Sequence, residues 1–289
     1  MAQFDYVSPS SVDEAVKALM SAPTAKVLAG GTDLIVQMRA GRQRPAAVVD
    51  LKRIPGAVGV RREADGGFTI GAATSGAAIG EDAALVRAWP GVVEATNLIG
   101  STQVQGRASL GGNLCNASPA ADSVPALIAA RATCVIAGPS GRREAPVEAI
   151  QISPGRTSLQ PGEFILAFRL PPRPKRAADA YLRLIPRTEM DIAVVGAGVS
   201  LVLGGDGAIA EAHVSLGAVA PTTLLVAAAG DAIIGGKLTD AALDRLDAAA
   251  RAACNPIDDK RGTIDYRTKI AGVLARRTAT IAYARAEAR

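Results

Sequence analysis

Two diglycine stretches constrain this chain more than any other feature: Leu28-Ala29-Gly30-Gly31-Thr32-Asp33-Leu34 and Ser109-Leu110-Gly111-Gly112-Asn113-Leu114-Cys115-Asn116-Ala117-Ser118-Pro119. The first extends Lys26-Val27-Leu28-Ala29, a short apolar run that reads as a buried strand. A strand opening into two glycines and a threonine leaves backbone N–H groups free to face an anion. Glycine allows both positive φ and the close approach that a pyrophosphate needs. The second pair sits among Ser and Asn side chains that suit phosphate or sugar oxygens. Asp122 follows, in Ala120-Ala121-Asp122-Ser123-Val124-Pro125, where a carboxylate can accept from ligand hydroxyls. Singly, one stretch is an ordinary turn and the other an Asn-rich surface loop. Together they argue for one shared ligand.

Neither stretch contains G-x-G-x-x-G, so a Rossmann site is not indicated. Val194-Val195-Gly196-Ala197-Gly198-Val199-Ser200-Leu201 comes near it but has Leu201 at the third glycine position, and its glycines read as packing relief in a strand. The three cysteines, Cys115, Cys134 and Cys254, lie far apart and the single histidine is His213, so no metal site is expected on this chain. Basic residues exceed acidic ones by only +5 and aromatics are 3%, which leaves little for nucleic acid to bind. The start, Met1-Ala2-Gln3-Phe4-Asp5, lacks the pattern of a signal peptide. Ala212 to Gly230 carries no Asp, Glu, Lys or Arg, yet contains His213, Ser215, Pro221, Thr222 and Thr223, so no membrane span is expected. The expected location is the cytoplasm.

At 289 residues and 49% hydrophobic composition, two structural units are expected. Ser11-Val12-Asp13-Glu14 has capping-box spacing before a helix ending near Pro23. Asp33 to Arg39 reads as a helix or turn, and Ala47 to Leu51 as a strand. Val58 to Arg62 and Phe68 to Ala72 flank a hairpin turn at Asp65-Gly66-Gly67. Helix is expected from about Glu81 to Ile99, then a glycine- and asparagine-rich passage over Ser109 to Pro125, a helix of small residues, and strands over Thr133 to Ala137 and Gly162 to Leu170. Pro171-Pro172-Arg173-Pro174 reads as the linker. Beyond it come strands over Ala180 to Ile185, Ile192 to Leu203 and Ala208 to Ala218, then helices over Thr239 to Ala253 and Asp265 to Arg285. Strands preceding helices suggest α+β for this smaller unit.

Ala29-Gly30-Gly31-Thr32-Asp33-Leu34 with Ser109-Leu110-Gly111-Gly112-Asn113-Leu114 resembles the two FAD pyrophosphate loops of the molybdenum-hydroxylase (xanthine dehydrogenase / carbon monoxide dehydrogenase) family, in its FAD-binding medium subunit. The resemblance continues through Asn116-Ala117-Ser118-Pro119, Ala121-Asp122-Ser123-Val124-Pro125 and Arg187-Thr188-Glu189-Met190-Asp191-Ile192-Ala193, and into Pro256 to Gly262 and Tyr266-Arg267. It implies an α+β chain. A two-subdomain FAD-binding domain of PCMH (vanillyl-alcohol-oxidase-like) type would span 1–173, with subdomains of about 1–55 and 56–173. A smaller C-terminal flavoprotein domain would span 177–286.

The same resemblance implies that Val27, Leu28, Ala29, Gly30, Gly31, Thr32 and Asp33 wrap the pyrophosphate in the first loop. Ser109, Gly111, Gly112, Asn113 and Asn116 do so in the second. Asp122 would hold a polar part of the flavin moiety, Ile165 would pack near the ring edge, and Arg183 and Asp191 would lie near the isoalloxazine. An Arg183–Asp191 ion pair that merely joins the units is the plainer alternative. FAD is the cofactor implied here, with molybdopterin and two-iron two-sulfur clusters on large and small partner subunits, as a dimer of heterotrimers. The acceptor would be NAD⁺, oxygen or a quinone-type molecule, and no residue of this chain would catalyse substrate hydroxylation. The cysteine-rich insertion of medium subunits with an extra four-iron cluster has no counterpart. Cys115 reads as a packed residue and His213 as structural. Two other readings remain, a self-sufficient flavin oxidase and an assembly subunit without flavin. The aromatic-poor C-terminal unit counts against the first, and both retained glycine pairs against the second.

Overall fold

The computed structural model describes residues 3–289. Near the start, the Ser11 hydroxyl accepts from Glu14 N and begins the helix Val12–Met20. The Glu14 carboxylate reaches back to Ser10 N at 2.8 Å and Ser10 Oγ at 3.1 Å, so the box closes one residue earlier than its spacing suggests. This helix and the helix Leu34–Arg39 carry the crossovers of a small parallel sheet. Its strand order is Asp5–Val7, Ala47–Asp50, Lys26–Leu28, with Ala47–Asp50 fully buried in the centre.

A five-stranded antiparallel sheet follows, in the order Val60–Arg62, Phe68–Gly71, Phe164–Leu170, Thr133–Gly138, Gly141–Pro146. The hairpin at Asp65-Gly66-Gly67 joins its first two strands. Register shifts between Ile165 and Ala167, a bulge in the central strand. Phe68, Ile70, Phe168, Ile79, Leu110 and Leu127 form the core between this sheet and its helices. Helix begins earlier than expected, at Gly76, capped by Ser75, and runs in segments to Asn97. Gly141–Pro146 was not anticipated, because Gly-Arg-Arg-Glu-Ala-Pro is an exposed edge strand with no buried face to leave a period-2 pattern.

The C-terminal unit is a four-stranded antiparallel sheet of Ala177–Leu184, Val195–Leu203, Ile209–Gly217 and Leu224–Leu225. The helices Asp240–Ala252 and Ile264–Glu287 share its core through Leu246, Ala271, Ala275 and Ala279. Small residues on the long helix let it approach the strands closely.

The two units meet on backbone. A Cβ at Gly198 would lie 2.6 Å from the Pro125 carbonyl oxygen, and one at Gly91 2.7 Å from Ala180 N. Gly198 is thus relief for packing between units, and Gly196 leaves room for the Tyr181 hydroxyl, 2.6 Å from where its Cβ would stand. Charges line the same seam. Arg173 stacks on Trp89 at 3.8 Å, Asp179 accepts from Val92 N at 3.1 Å, and Arg285 pairs with Glu94. Among the described residues no helix is long and apolar enough to cross a membrane.

Candidate functional site

The strand Lys26–Leu28 delivers the first loop to the end of the parallel sheet. Val27 and Ala29 pack against the core there, so their contribution is their backbone. Gly31 has φ +80°, where a side chain would be strained, and a Cβ at Gly30 would lie 1.7 Å from the Arg107 carbonyl oxygen. Among the described residues the N–H groups of Gly30, Gly31, Thr32 and Asp33 donate to no protein acceptor. Four neighbouring free donors make an anion cradle.

The second stretch departs from expectation. Rather than an open loop, Leu110–Cys115 is a helix whose N-cap is Ser109, and Gly111 and Gly112 lie in its first turn. The N–H of Gly111 donates to the Ala72 carbonyl at 3.0 Å, and that of Gly112 to Ser109 Oγ at 3.2 Å. Gly111 is needed for contact, since its Cβ would lie 2.6 Å from the Ala72 oxygen. Gly112 has open space apart from Ser109 Oγ at 3.3 Å. Asn113 Oδ1 accepts from Ser123 N and Oγ, and Asn116 Oδ1 accepts from Gln37 Nε2 at 3.0 Å. Both side-chain amides keep their N–H donors free among the described residues.

The Gln37–Asn116 bond and the Gly30–Arg107 contact bring the two stretches together. Asp33 and Cys115 are both exposed, yet desolvation by surrounding protein raises the Asp33 carboxyl and pushes the Cys115 thiol up to about 12.

Asp122, further along the chain, is held from the second unit. Its Oδ1 accepts from the Tyr181 hydroxyl at 3.0 Å and its Oδ2 from Arg183 Nη1 at 2.6 Å. Burial raises its pKa to about 6, outweighing the Arg183 charge and both hydrogen bonds. Asp122 thus acts as a tie between units, with little surface left for other partners. The suggested Arg183–Asp191 pair does not form. Asp191 is held by Arg187 Nε at 3.0 Å, while Arg183 turns inward, 5% exposed, with Nε buried and unpartnered. Ile165 is buried beside the strand bulge in the same core as Leu110 and Leu114.

Three contributors were missed. Arg107 presents its carbonyl to Gly30, Gln37 bridges to Asn116, and Lys52 Nζ donates to the Ala29 carbonyl at 2.9 Å. Only Lys52 left a trace in sequence: Asp50-Leu51-Lys52 has Asx-turn spacing, and Lys52 N does donate to Asp50 Oδ1.

This donor set of free amides, Asn nitrogens and a buried guanidinium edge suits a diphosphate with a polar ring system. The fold is that of a two-unit flavin-binding subunit. Residues 2–173 match the family described as FAD binding domain in molybdopterin dehydrogenase, and residues 180–282 match the CO dehydrogenase flavoprotein C-terminal domain. The chain belongs to this family of FAD-binding medium subunits of molybdenum hydroxylases.

It is 36% identical to the carbon monoxide dehydrogenase medium chain of Afipia carboxidovorans and 32% identical to that of Hydrogenophaga pseudoflava, each over 98% of both chains. It is 32% identical to the putative xanthine dehydrogenase FAD-binding subunit of Escherichia coli, over 76% of this chain and 77% of that one. In structure it superposes on a chain of a Cu,Mo-CO dehydrogenase with TM-score 0.93 and 34% identity, covering 98% of this chain and 99% of that one.

Proposed function

We propose that this chain binds FAD across the two glycine stretches and relays electrons within a molybdenum hydroxylase complex. The amides of Gly30, Gly31, Thr32 and Asp33, reached through Val27, Leu28 and Ala29, would bind the diphosphate. Asn113 and Asn116 would add side-chain donors, with Ser109, Gly111 and Gly112 setting the helix that presents them. Ile165 would back the ring, and Asp122 with Arg183 would fix the polar edge of the flavin site. When bound, FAD supplies the conversion between one- and two-electron transfer, while the chain supplies binding and orientation.

The observation that carries this reading is the set of four loop amides without a protein acceptor among the described residues, beside the Gln37–Asn116 bond that joins the two stretches. Residues 1–173 would form the FAD-binding unit, with subdomains of about 1–55 and 56–173, and 177–286 the unit that closes it. The partners would be a large molybdopterin subunit and a small subunit with two-iron clusters, in a dimer of heterotrimers in the cytoplasm. Electrons would leave to NAD⁺, oxygen or another acceptor. Purified chain incubated with FAD and desalted should keep a yellow flavin spectrum. A colourless product overturns the proposal. Co-purification with both partners is the expected result for the complex.

A further inference from the structure

The free amides of the first loop explain how an anion could bind, but something must hold that loop ready. Across the parallel sheet runs a chain of contacts with one member from each strand region. At one edge the Tyr6 hydroxyl donates to Asp50 Oδ2 at 2.6 Å. From the central strand Asp50 Oδ1 accepts from Lys52 Nζ at 2.6 Å and from Lys52 N at 3.0 Å. At the other edge Lys52 Nζ donates to the Ala29 carbonyl at 2.9 Å. Burial pushes the Asp50 carboxyl up, but hydrogen bonds from Lys52 and Tyr6 more than offset it, so the group sits below its ordinary value and stays ionised.

We infer that Lys52 is a positioning residue for diphosphate binding, fixing the Ala29–Gly30 peptide; the inference rests on the FAD reading above. In a trans peptide the C=O and N–H point in opposite directions. A carbonyl held by Lys52 therefore turns the Gly30 N–H away from Lys52 and Asp50. The same hydrogen bond polarises the peptide and makes that N–H a stronger donor. Lys52 acts from behind the loop, so its charge need not touch the ligand. Asp50 and Tyr6 keep the ammonium in place, which a freely rotating lysine would not manage.

The test is a set of affinities for FAD and for ADP, which shares the diphosphate but carries no flavin. Lys52→Met should weaken both by about tenfold, the loss of one charge-assisted hydrogen bond. The visible spectrum of bound flavin should stay unchanged, because the ring site is untouched. Lys52→Arg should recover most of the affinity. Tyr6→Phe, which leaves the Lys52 contacts intact and removes only an outer hydroxyl, should weaken both ligands about threefold.

If Lys52→Met leaves both affinities within about twofold of the parent, the inference is overturned while the FAD reading stands. Weakening of FAD alone, with a shifted flavin spectrum, also overturns it by pointing to the ring. Should Lys52→Met not fold, Tyr6→Phe decides by the same comparison. A parent chain that takes up no FAD removes the reading and the inference together.

Discussion

At Gly30–Gly31 the backbone passes through the left-handed region and leaves its amides unpaired, whereas at Gly111–Gly112 it is helical and those amides already have partners. The two stretches are near twins in sequence. Their difference comes from what stands beside them. Ser109 is an N-cap residue with helix after it, and its hydroxyl takes the Gly112 N–H. Asp33 sits at the corresponding start of Leu34–Arg39, but its side chain makes no capping bond. One pair offers donors; the other builds a wall that presents Asn113 and Asn116. The lesson is that a glycine pair signals close approach, and its neighbours decide what approaches.

The largest effect should come from Gly30→Ala. The new Cβ would overlap the Arg107 carbonyl, which is backbone and cannot step aside, so a loss of about 3 kcal/mol or more is expected in chemical denaturation. FAD retention should be lost with it. A stable, flavin-retaining Gly30→Ala would break the contrast between the pairs, because the first would then need no glycine.

The tethers of the two stretches give the next comparison, through pH. Asp122 has a folded pKa of about 6 against an ordinary 3.8, so between these values the folded chain binds a proton that the unfolded chain does not. Its contribution to stability therefore rises as pH falls from about 6 to about 4, by up to roughly 3 kcal/mol. Asp50, shifted downward, works oppositely: its contribution is present above the ordinary carboxylate pKa and is lost as pH falls below it. Unfolding midpoints of the parent and Asp122→Asn at pH 5 and 7 separate the two tethers. The variant should show a smaller gain on acidification, and an identical gain would show that Asp122 is not the titrating tie.

The smallest effects sharpen the contrast at the second pair. Ser109→Ala removes the cap and should lower stability by about 1 kcal/mol. Gly112→Ala puts a Cβ 3.3 Å from the Ser109 capping hydroxyl, which must give slightly, while alanine is preferred in a helix, so apo stability should change by no more than about 1 kcal/mol. Weaker FAD binding by that same variant would show ligand approach at Gly112, whereas unchanged affinity would make the glycine dispensable.

Much of the architecture was legible because it rests on local chemistry. The capping residues at Ser11, the Asp65-Gly66-Gly67 turn and the apolar strands of the C-terminal unit each carry their own signal. Short edges such as Asp5–Val7 and Leu224–Leu225 have too few residues to show a period. The helix at Leu110 was hidden because two glycines are poor helix formers, and tertiary contact with Ala72 overrides that weakness. At the candidate site, the glycine and asparagine residues could be picked out from the chain itself as a proposal. Lys52, Arg107 and Gln37 could not, since their roles depend on partners distant in sequence.

The seam has a bearing on engineering by recombination. Gly198 fits under Pro125, and among the described residues Arg183 finds its counter-ion in Asp122, so each half carries features shaped by the other. A chimera that grafts the C-terminal cassette of a relative onto this N-terminal portion would inherit only one side of both matches. Orphaning the Arg183 guanidinium in a dry setting costs several kcal/mol by itself. Within this chain the two units are thus matched parts, and a change at Gly198, Arg183 or Asp122 calls for a compensating change across the join.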